Sequence, residues 1–358
     1  MKILDLYIIR KFLSTFFFAI ALIIAIAVVF DISEKIDDFL DKQAPIKAIV
    51  FDYYFNFIPF FANLFSPMFV FIAVIFFTSR MANNTEIVAI LGSGISFKRF
   101  LLPYMIAATV IASLSFYFNN YVIPHSTKTR LEFENRYIKN PFKYVYRNIH
   151  RQISPGNFVY FESFNNTENT GYRFSHEKFK DGKLFYKLMA EHITWDSIKT
   201  KWCVENYFIR EINGMNEKIS TGDKFDTLYS FRPEEFRRRD NNIETMDTPD
   251  LKKFINDEKA RGVENTTFMD VNRYRRTSLP FATFILTIIG VSLSSRKIRG
   301  GIGMQLGAGI LLSFTYIMFM QISQTFAINA SFSPLVAVWV PNIVFGIVAV
   351  FLYRNSVK

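Results

Sequence analysis

Four histidines, one cysteine and two glycine-rich stretches are the residues most able to carry chemistry, and their spacing denies most of it. A zinc protease needs two histidines at i and i+4 on one helix, with a glutamate as general base. His125, His150, His176 and His192 form no such pair. A phosphate loop ends in Gly-Lys-Ser/Thr, so that backbone amides cradle the phosphates and the lysine reaches them. GSGISFKRF at 92–100 and GGIGMQLGAG at 300–309 lack that ending. Cys203 stands alone, which excludes an intramolecular disulfide or a CxxC site, and its strand-like surroundings suit a small apolar filler. The sequence therefore offers no catalytic residue, no metal site and no cofactor of its own.

A different chemistry, that of contact, is written in residues 83–99, NNTEIVAILGSGISFKR. Asn84 or Thr85 is placed to cap a helix, and Glu86 falls in the first turn, where the helix dipole favours a carboxylate. Ile87, Val88, Ile90 and Leu91 make a short apolar face, and Gly92 and Gly94 end it. A two-turn helix is marginal alone and must pack against something. Either it lies on lipid, or it docks in a groove on a partner.

The elements that hold this segment are hydrophobic spans. Of 358 residues half are hydrophobic and only 20% charged, below the quarter usual in soluble domains. Six windows carry no Asp, Glu, Lys or Arg: Phe12–Phe30, Ile58–Thr78, Leu101–Ile123, Thr277–Ser295, Met304–Ala330 and Phe332–Tyr353. Each is long enough to cross the hydrocarbon core as a helix, which needs about 20 residues. The first is too long for a signal peptide and lacks a small-x-small cleavage site. The chain reads as an α-helical polytopic membrane protein with three spans, an insert, then three more. With the N-terminus inside, the cytoplasmic segments hold eleven basic residues against Asp5 and Glu86, and the rest of the chain is nearly balanced. That asymmetry follows the positive-inside rule with both termini cytoplasmic, and it removes nucleic acid as the reason for the net charge of +11. Arg273, Arg275 and Arg276 run against the rule, but they end a long translocated insert, where charge matters less.

Residues 31–57 read as an acidic outer loop and 79–100 as a short inner one, with a second inner loop at Arg296–Gly303 and a tight outer turn at Ala330–Ser333. The expected domains are 1–123, 124–276 and 277–358. In the insert, 127–140 extends the third span as a helix. FVYFESF (158–164), YRFSHEKF (172–179), FYKLMAEHITW (185–195) and WCVENYFIREI (202–212) read as strands separated by turn residues. Such short strands predict an all-β sandwich, jellyroll or open barrel. A polar helix follows over 249–262, stopped by Gly262. Charge-free spans give a proton relay nothing to be built from. Pro67 and Gly290 read as a kink and a close-packing position, and Gly303–Gly307 forms a GxxxG suited to close helix approach.

The stretch T-E-I-V-A-I-L-G-S-G-I-S resembles the coupling-helix segment of the LptF/LptG permease family, the membrane part of the lipopolysaccharide-exporting ABC transporter; Glu86, Ala89, Gly94, Ile95 and Ser96 fit its pattern. LDLYIIRKFL at 4–13 resembles the family's amphipathic start and is closer to the LptG type. PDLKKFINDEKARG at 249–262, RYRRTSLPFATFILTIIGVSLSSRKIRGG at 273–301 and SPLVAVWVPNIVFGIVAVFLYR at 333–354 resemble later family segments in the right order. The insert matches only by position and strand character.

The resemblance implies a permease subunit, not an enzyme, in the bacterial inner membrane with its β-jellyroll in the periplasm. It would pair with a second six-span permease around a cavity and be driven by a cytoplasmic ABC ATPase dimer, which would hold the ATP and magnesium. Lipopolysaccharide would enter between span one of one permease and span five of the other, then move along the jellyrolls to a periplasmic bridge protein. Asn84, Glu86, Ile87, Ala89, Ile90, Leu91 and Gly94 would meet the ATPase. Phe16, Phe17 and Ile20 of span one, with Phe314, Met318 and Ile322 of span five, would line the lipid gate. Lys35, Lys128, Arg130 and Arg136 are candidates to face its phosphates. The acidic segment after span one departs from that picture, since an anion-receiving rim favours cations. On the residues alone, two other classes stay open: a mechanotransmission subunit coupling an ATPase to envelope machinery, and a membrane enzyme whose insert carries the site.

Overall fold

The computed structural model describes residues 3–138, 145–165, 168–214, 216–233, 241–260, 266–296, 301–329 and 332–356. They divide into two compact units: a helical one, Met1–Ile138 with Ile243–Leu251 and Thr267–Lys358, and a β one, Lys139–Asn242 with Lys252–Thr266. Among the described residues, six helices are long and apolar enough to cross a membrane. In chain order the helices are α1 (Ile3–Asp41), α2 (Ile46–Asn83), the short α3 (Glu86–Gly92), α4 (Phe97–Tyr137), α5 (Asn241–Glu244), α6 (Thr248–Ala260), α7 (Thr267–Ser294), α8 (Gly301–Asn329) and α9 (Pro334–Ser356).

The spans overrun their apolar windows. Residues 31–57 are not a loop: α1 continues to Asp41, and α2 has begun by Ile46. The reason is local, because EKIDDFLD has no glycine or proline and Asp31 and Lys35 pair at i, i+4 along one face. Likewise α4 runs unbroken to Tyr137, through a π-helical turn at Phe118–Val122, so the helical unit reaches Ile138 rather than Ile123. Gly262 and Gly300 lie outside the described residues, as do Ala330 and much of the Arg296–Gly303 loop.

Two apolar cores share α2 and α7. In the first, Ile8, Phe12, Phe16 and Ile20 of α1 pack on Val70, Val74 and Phe77 of α2 and on Phe100, Tyr104 and Ala107 of α4. The four-residue spacing of the α1 stripe is a ridge fitting a groove. In the second core, Phe71 and Ile75 of α2 meet Leu286 and Ile289 of α7, Tyr316 of α8 and Phe345 of α9. Gly290 lets α7 and α2 approach, since a Cβ there would sit 2.8 Å from Val74 Cγ1 and 3.1 Å from Phe71. Buried polar groups cross-link the same helices: Tyr316 donates to Asn342 Oδ1 (2.8 Å), whose amide donates to the Ser278 carbonyl (2.9 Å).

In the β unit, six antiparallel strands pair in sequence order: β1 (Val145–Ser154), β2 (Asn157–Asn165), β3 (Thr170–Lys180), β4 (Lys183–Asp196), β5 (Lys201–Asn213) and β6 (Asn216–Thr227). Tight hairpins impose this meander. Asp181 and Gly182, with φ of 50° and 74°, make the two-residue turn that matches strand twist. The sheet is open rather than closed, and its strand order is sequential rather than that of a Greek key. One face buries Val159, Phe161, Phe174, Leu188, Ile193 and Val204, with Trp202 donating to the Phe231 carbonyl at 3.0 Å.

Candidate functional site

The segment after α2 is held from below. Ile87 is 1% exposed and belongs to the first core, with Ile90 and Leu91 half-buried against it. Thr85 takes a left-handed φ of 61° ahead of the helix, and its side chain does not cap it. Asn84 instead donates to Glu86 Oε1 (3.1 Å), and the Tyr7 hydroxyl of α1 donates to Glu86 Oε2 (3.4 Å). After the turn at Gly94 (φ 86°), Ser96 caps α4 by accepting from the Arg99 amide at 3.3 Å.

Arg99 in turn grips Asp5 of α1 through two hydrogen bonds of 2.8 and 2.7 Å, and the Asp5 side chain is 5% exposed. This bidentate pair ties the C-terminal end of the α3 segment to the first helix, as Tyr7 and Glu86 tie its N-terminal end. Sequence reasoning counted Asp5 and Arg99 only as charges, and no spacing signal joins residues 94 apart. Outward, the segment shows Val88 (67% exposed), Ala89, Gly92 and Gly94. Of the expected contact residues, Ile87 thus serves as the anchor and Ala89 as outer surface, with Glu86 half-buried between.

The expected gate residues separate by face. Phe16 and Ile20 are 3% and 8% exposed, inside the first core, whereas Phe17 and Phe18 point out of the bundle. On α8 the outward set is complete, with Phe314, Met318 and Ile322 each about half exposed. Gly303 and Gly307 have open space where a Cβ would stand, so this GxxxG packs on none of the described residues; Gly309, by contrast, presses on Ile75.

The four cations separate as well. Lys35 donates to Asp31 and to the Tyr53 hydroxyl, and Tyr54 donates to the same aspartate at 3.1 Å. Arg130 lies 3.4 Å from Glu134 and over the Phe60 ring. Both pairs stand at i, i+4, a spacing that could have announced them. Lys128 and Arg136 are exposed.

On the β unit an open groove of about 640 Å3 is lined by Phe158, Tyr160, Met189 and Phe208 among polar residues, including the Arg173–Glu162 and Lys187–Glu177 pairs (both 2.7 Å). His176 is 7% exposed, 3.3 Å from the Tyr229 hydroxyl. Burial, with Lys178 nearby, lowers its pKa to about 4, so it is neutral at neutral pH.

The arrangement offers a helix presented for docking, two bare apolar faces and an amphipathic groove. The family model described as the lipopolysaccharide export system permease LptF/LptG matches residues 6–355. That match covers both types jointly and does not separate one from the other. No curated protein sequence matches the chain.

Proposed function

The chain belongs to the family of lipopolysaccharide export system permeases, LptF/LptG, whose members are transport permeases and not enzymes, and with its six apolar helices it is a multi-pass inner-membrane protein. From this premise we propose that it is one of two paired permeases that take lipopolysaccharide from the inner membrane and pass it along the β unit to a periplasmic bridge. A separate cytoplasmic ATPase dimer drives them. The single observation that carries the coupling is the anchored α3, fixed by Ile87 and the Asp5–Arg99 pair, with Val88 and Ala89 bare. A short helix with an apolar outward face and a rigid base suits a groove on another protein, and its rigid base makes groove motion into α1 and α4 motion.

In this reading the gate lies on the outward residues Phe17, Phe18, Phe314, Met318 and Ile322. Lys128 and Arg136 are the cations free to meet lipid phosphates, while Lys35 and Arg130 would first have to release their carboxylates. Export follows the groove over Phe158 and Met189. Both termini are cytoplasmic and the β unit is periplasmic.

Two experiments test this. A tagged chain purified in detergent should bring with it a second six-span permease and an ABC ATPase. Val88→Asp should lose the ATPase alone, because a carboxylate is then buried unpaired at the contact, costing on the order of 2–5 kcal/mol. Retention of the ATPase at normal levels would remove α3 as the docking element. In a Cys203→Ala background, a cysteine at Ile198 should react with an impermeant reagent in cells with a permeabilised outer membrane, and one at Ser93 should not. The reverse pattern would invert the topology.

A further inference from the structure

At the end of the helical unit where α4 leaves and α7 enters, α2, α4, α7 and α8 surround a cavity of about 120 Å3. One side is charged and polar, with Arg275 and Arg276 beside Asn63 and Asn119, and with Glu244 of α5 as its one carboxylate. The other side is apolar, and Leu64 and Ile317 at its edge are 48% and 36% exposed, so the cavity reaches the apolar outer surface of the bundle.

Among the described residues no carboxylate is hydrogen-bonded to either arginine, although Glu244 lines the same cavity. Arg276, 5% exposed, donates to the carbonyls of Met246 (2.7 Å) and Ile243 (3.0 Å) and to the Thr248 hydroxyl (3.3 Å). Those acceptors are neutral, so they fix the guanidinium without cancelling its charge. The Arg275 guanidinium makes no hydrogen bond or ion pair with a described residue; Glu244, in the same lining, acts on it through space. Two guanidiniums facing one carboxylate leave the site cationic, which is costly there unless a further anion shares it, and the planar fork suits a phosphate. The volume is that of about four waters at roughly 30 Å3 each. It admits one headgroup phosphate and excludes the body of a many-chained glycolipid.

We propose that this cavity binds the phosphate of an anionic phospholipid, with an acyl chain lying over Leu64 and Ile317. The site differs from the gate in its headgroup end, which α2, α4 and α7 of one chain line, and it shares α8 with the gate. A bound phospholipid would bridge those four helices and neutralise the arginines.

The test uses the full-length chain in phosphatidylcholine nanodiscs doped with phosphatidylglycerol, released for native mass spectrometry. One phosphatidylglycerol should stay with each chain. Arg275→Gln should lower its retention by about tenfold, the scale of one charge-assisted contact. Leu64→Trp, a change at an exposed position that narrows the mouth, should do the same in a folded protein. Lys218→Gln, at an exposed position of the β unit, should retain the lipid. Equal retention in Arg275→Gln and Leu64→Trp would overturn the proposal. So would displacement by millimolar inorganic phosphate, which would assign the arginines to a free anion. The readout is bound phospholipid, so either result leaves the permease reading standing.

Discussion

Helices α1 and α7 are both membrane spans, yet the more apolar of the two is the less buried. The apolar window of α1 has a mean hydropathy of 2.8 and is 17% buried, while that of α7 has 1.7 and is 61% buried. In water the order would be reversed. In a bilayer the lipid tails are as apolar as leucine, so a helix facing lipid needs hydropathy, and one facing protein needs small and polar residues for close packing. Accordingly α7 buries Ser278, Thr283, Thr287, Gly290 and Ser292, whereas α1 shows Phe17, Phe18, Leu22, Val29 and Phe30 on its outside. α8 sides with α1 in burial, at 28%, although its mean hydropathy of 1.6 is close to that of α7. The two helices assigned to the gate are thus the ones least spent on holding the chain together.

The sharpest way to break this contrast is substitution of matched glycines. Gly290→Ala drives a Cβ into Val74 and should destabilise the chain by about 1–3 kcal/mol. Gly307→Ala meets nothing within 4 Å and should leave the isolated chain unchanged in thermal unfolding in detergent. If α8 faces a second permease, the same Gly307→Ala should lower recovery of the paired complex. Equal melting shifts for the two variants would refute the division into packed and bare helices.

Photo-crosslinking tests the bare faces directly. A crosslinker at Phe17, Phe314 or Met318 should capture glycolipid, in amounts that follow nucleotide state through a population shift in the gate. One at Val344 on α9, 41% exposed and as apolar, should capture little. Indifference to position would leave these faces as ordinary lipid-facing surface.

The smallest effect lies in the β unit. His176 has its pKa lowered to about 4 when folded, against about 6.5 unfolded, so the unfolded chain binds the proton first. The stability this contributes is present above pH 6.5 and is lost as pH falls toward 4, by up to about 1.4 kcal/mol per unit. His176→Gln should flatten that slope in urea unfolding curves between pH 6.5 and 4. A parallel slope in both proteins would assign the acid sensitivity to other groups.

Much of the architecture was legible, for reasons that particular residues show. Charge-free windows announced six spans because a charge in hydrocarbon is costly wherever the helix points. Four strands were readable from aromatic and β-branched residues, and the Asp181–Gly182 turn from its dipeptide. β1 and β6 were not foreseen. NEKISTGDKFDT, the whole of β6, is mostly exposed at the sheet edge, and a strand without a buried face carries no alternation. The end of α1 reads as a loop by its acidity, yet it holds no glycine or proline and stays helical to Asp41.

What the sequence alone determined is the six spans, the four strands β2 to β5, their order and the family, since these rest on local composition and on motifs contiguous in the chain. Only the tertiary structure decided which face of each span is occupied. A helix apolar all round, such as α1, has no stripe to read, so Phe16 and Phe17 look alike until Val70 and Tyr104 are packed against one of them. Charges followed the same rule. Asp5 and Arg99 became an anchor, and Arg275 and Arg276 the lining of a cavity, through neighbours far away in sequence. A pairing energy depends on distance and burial, and neither quantity exists until the chain has folded.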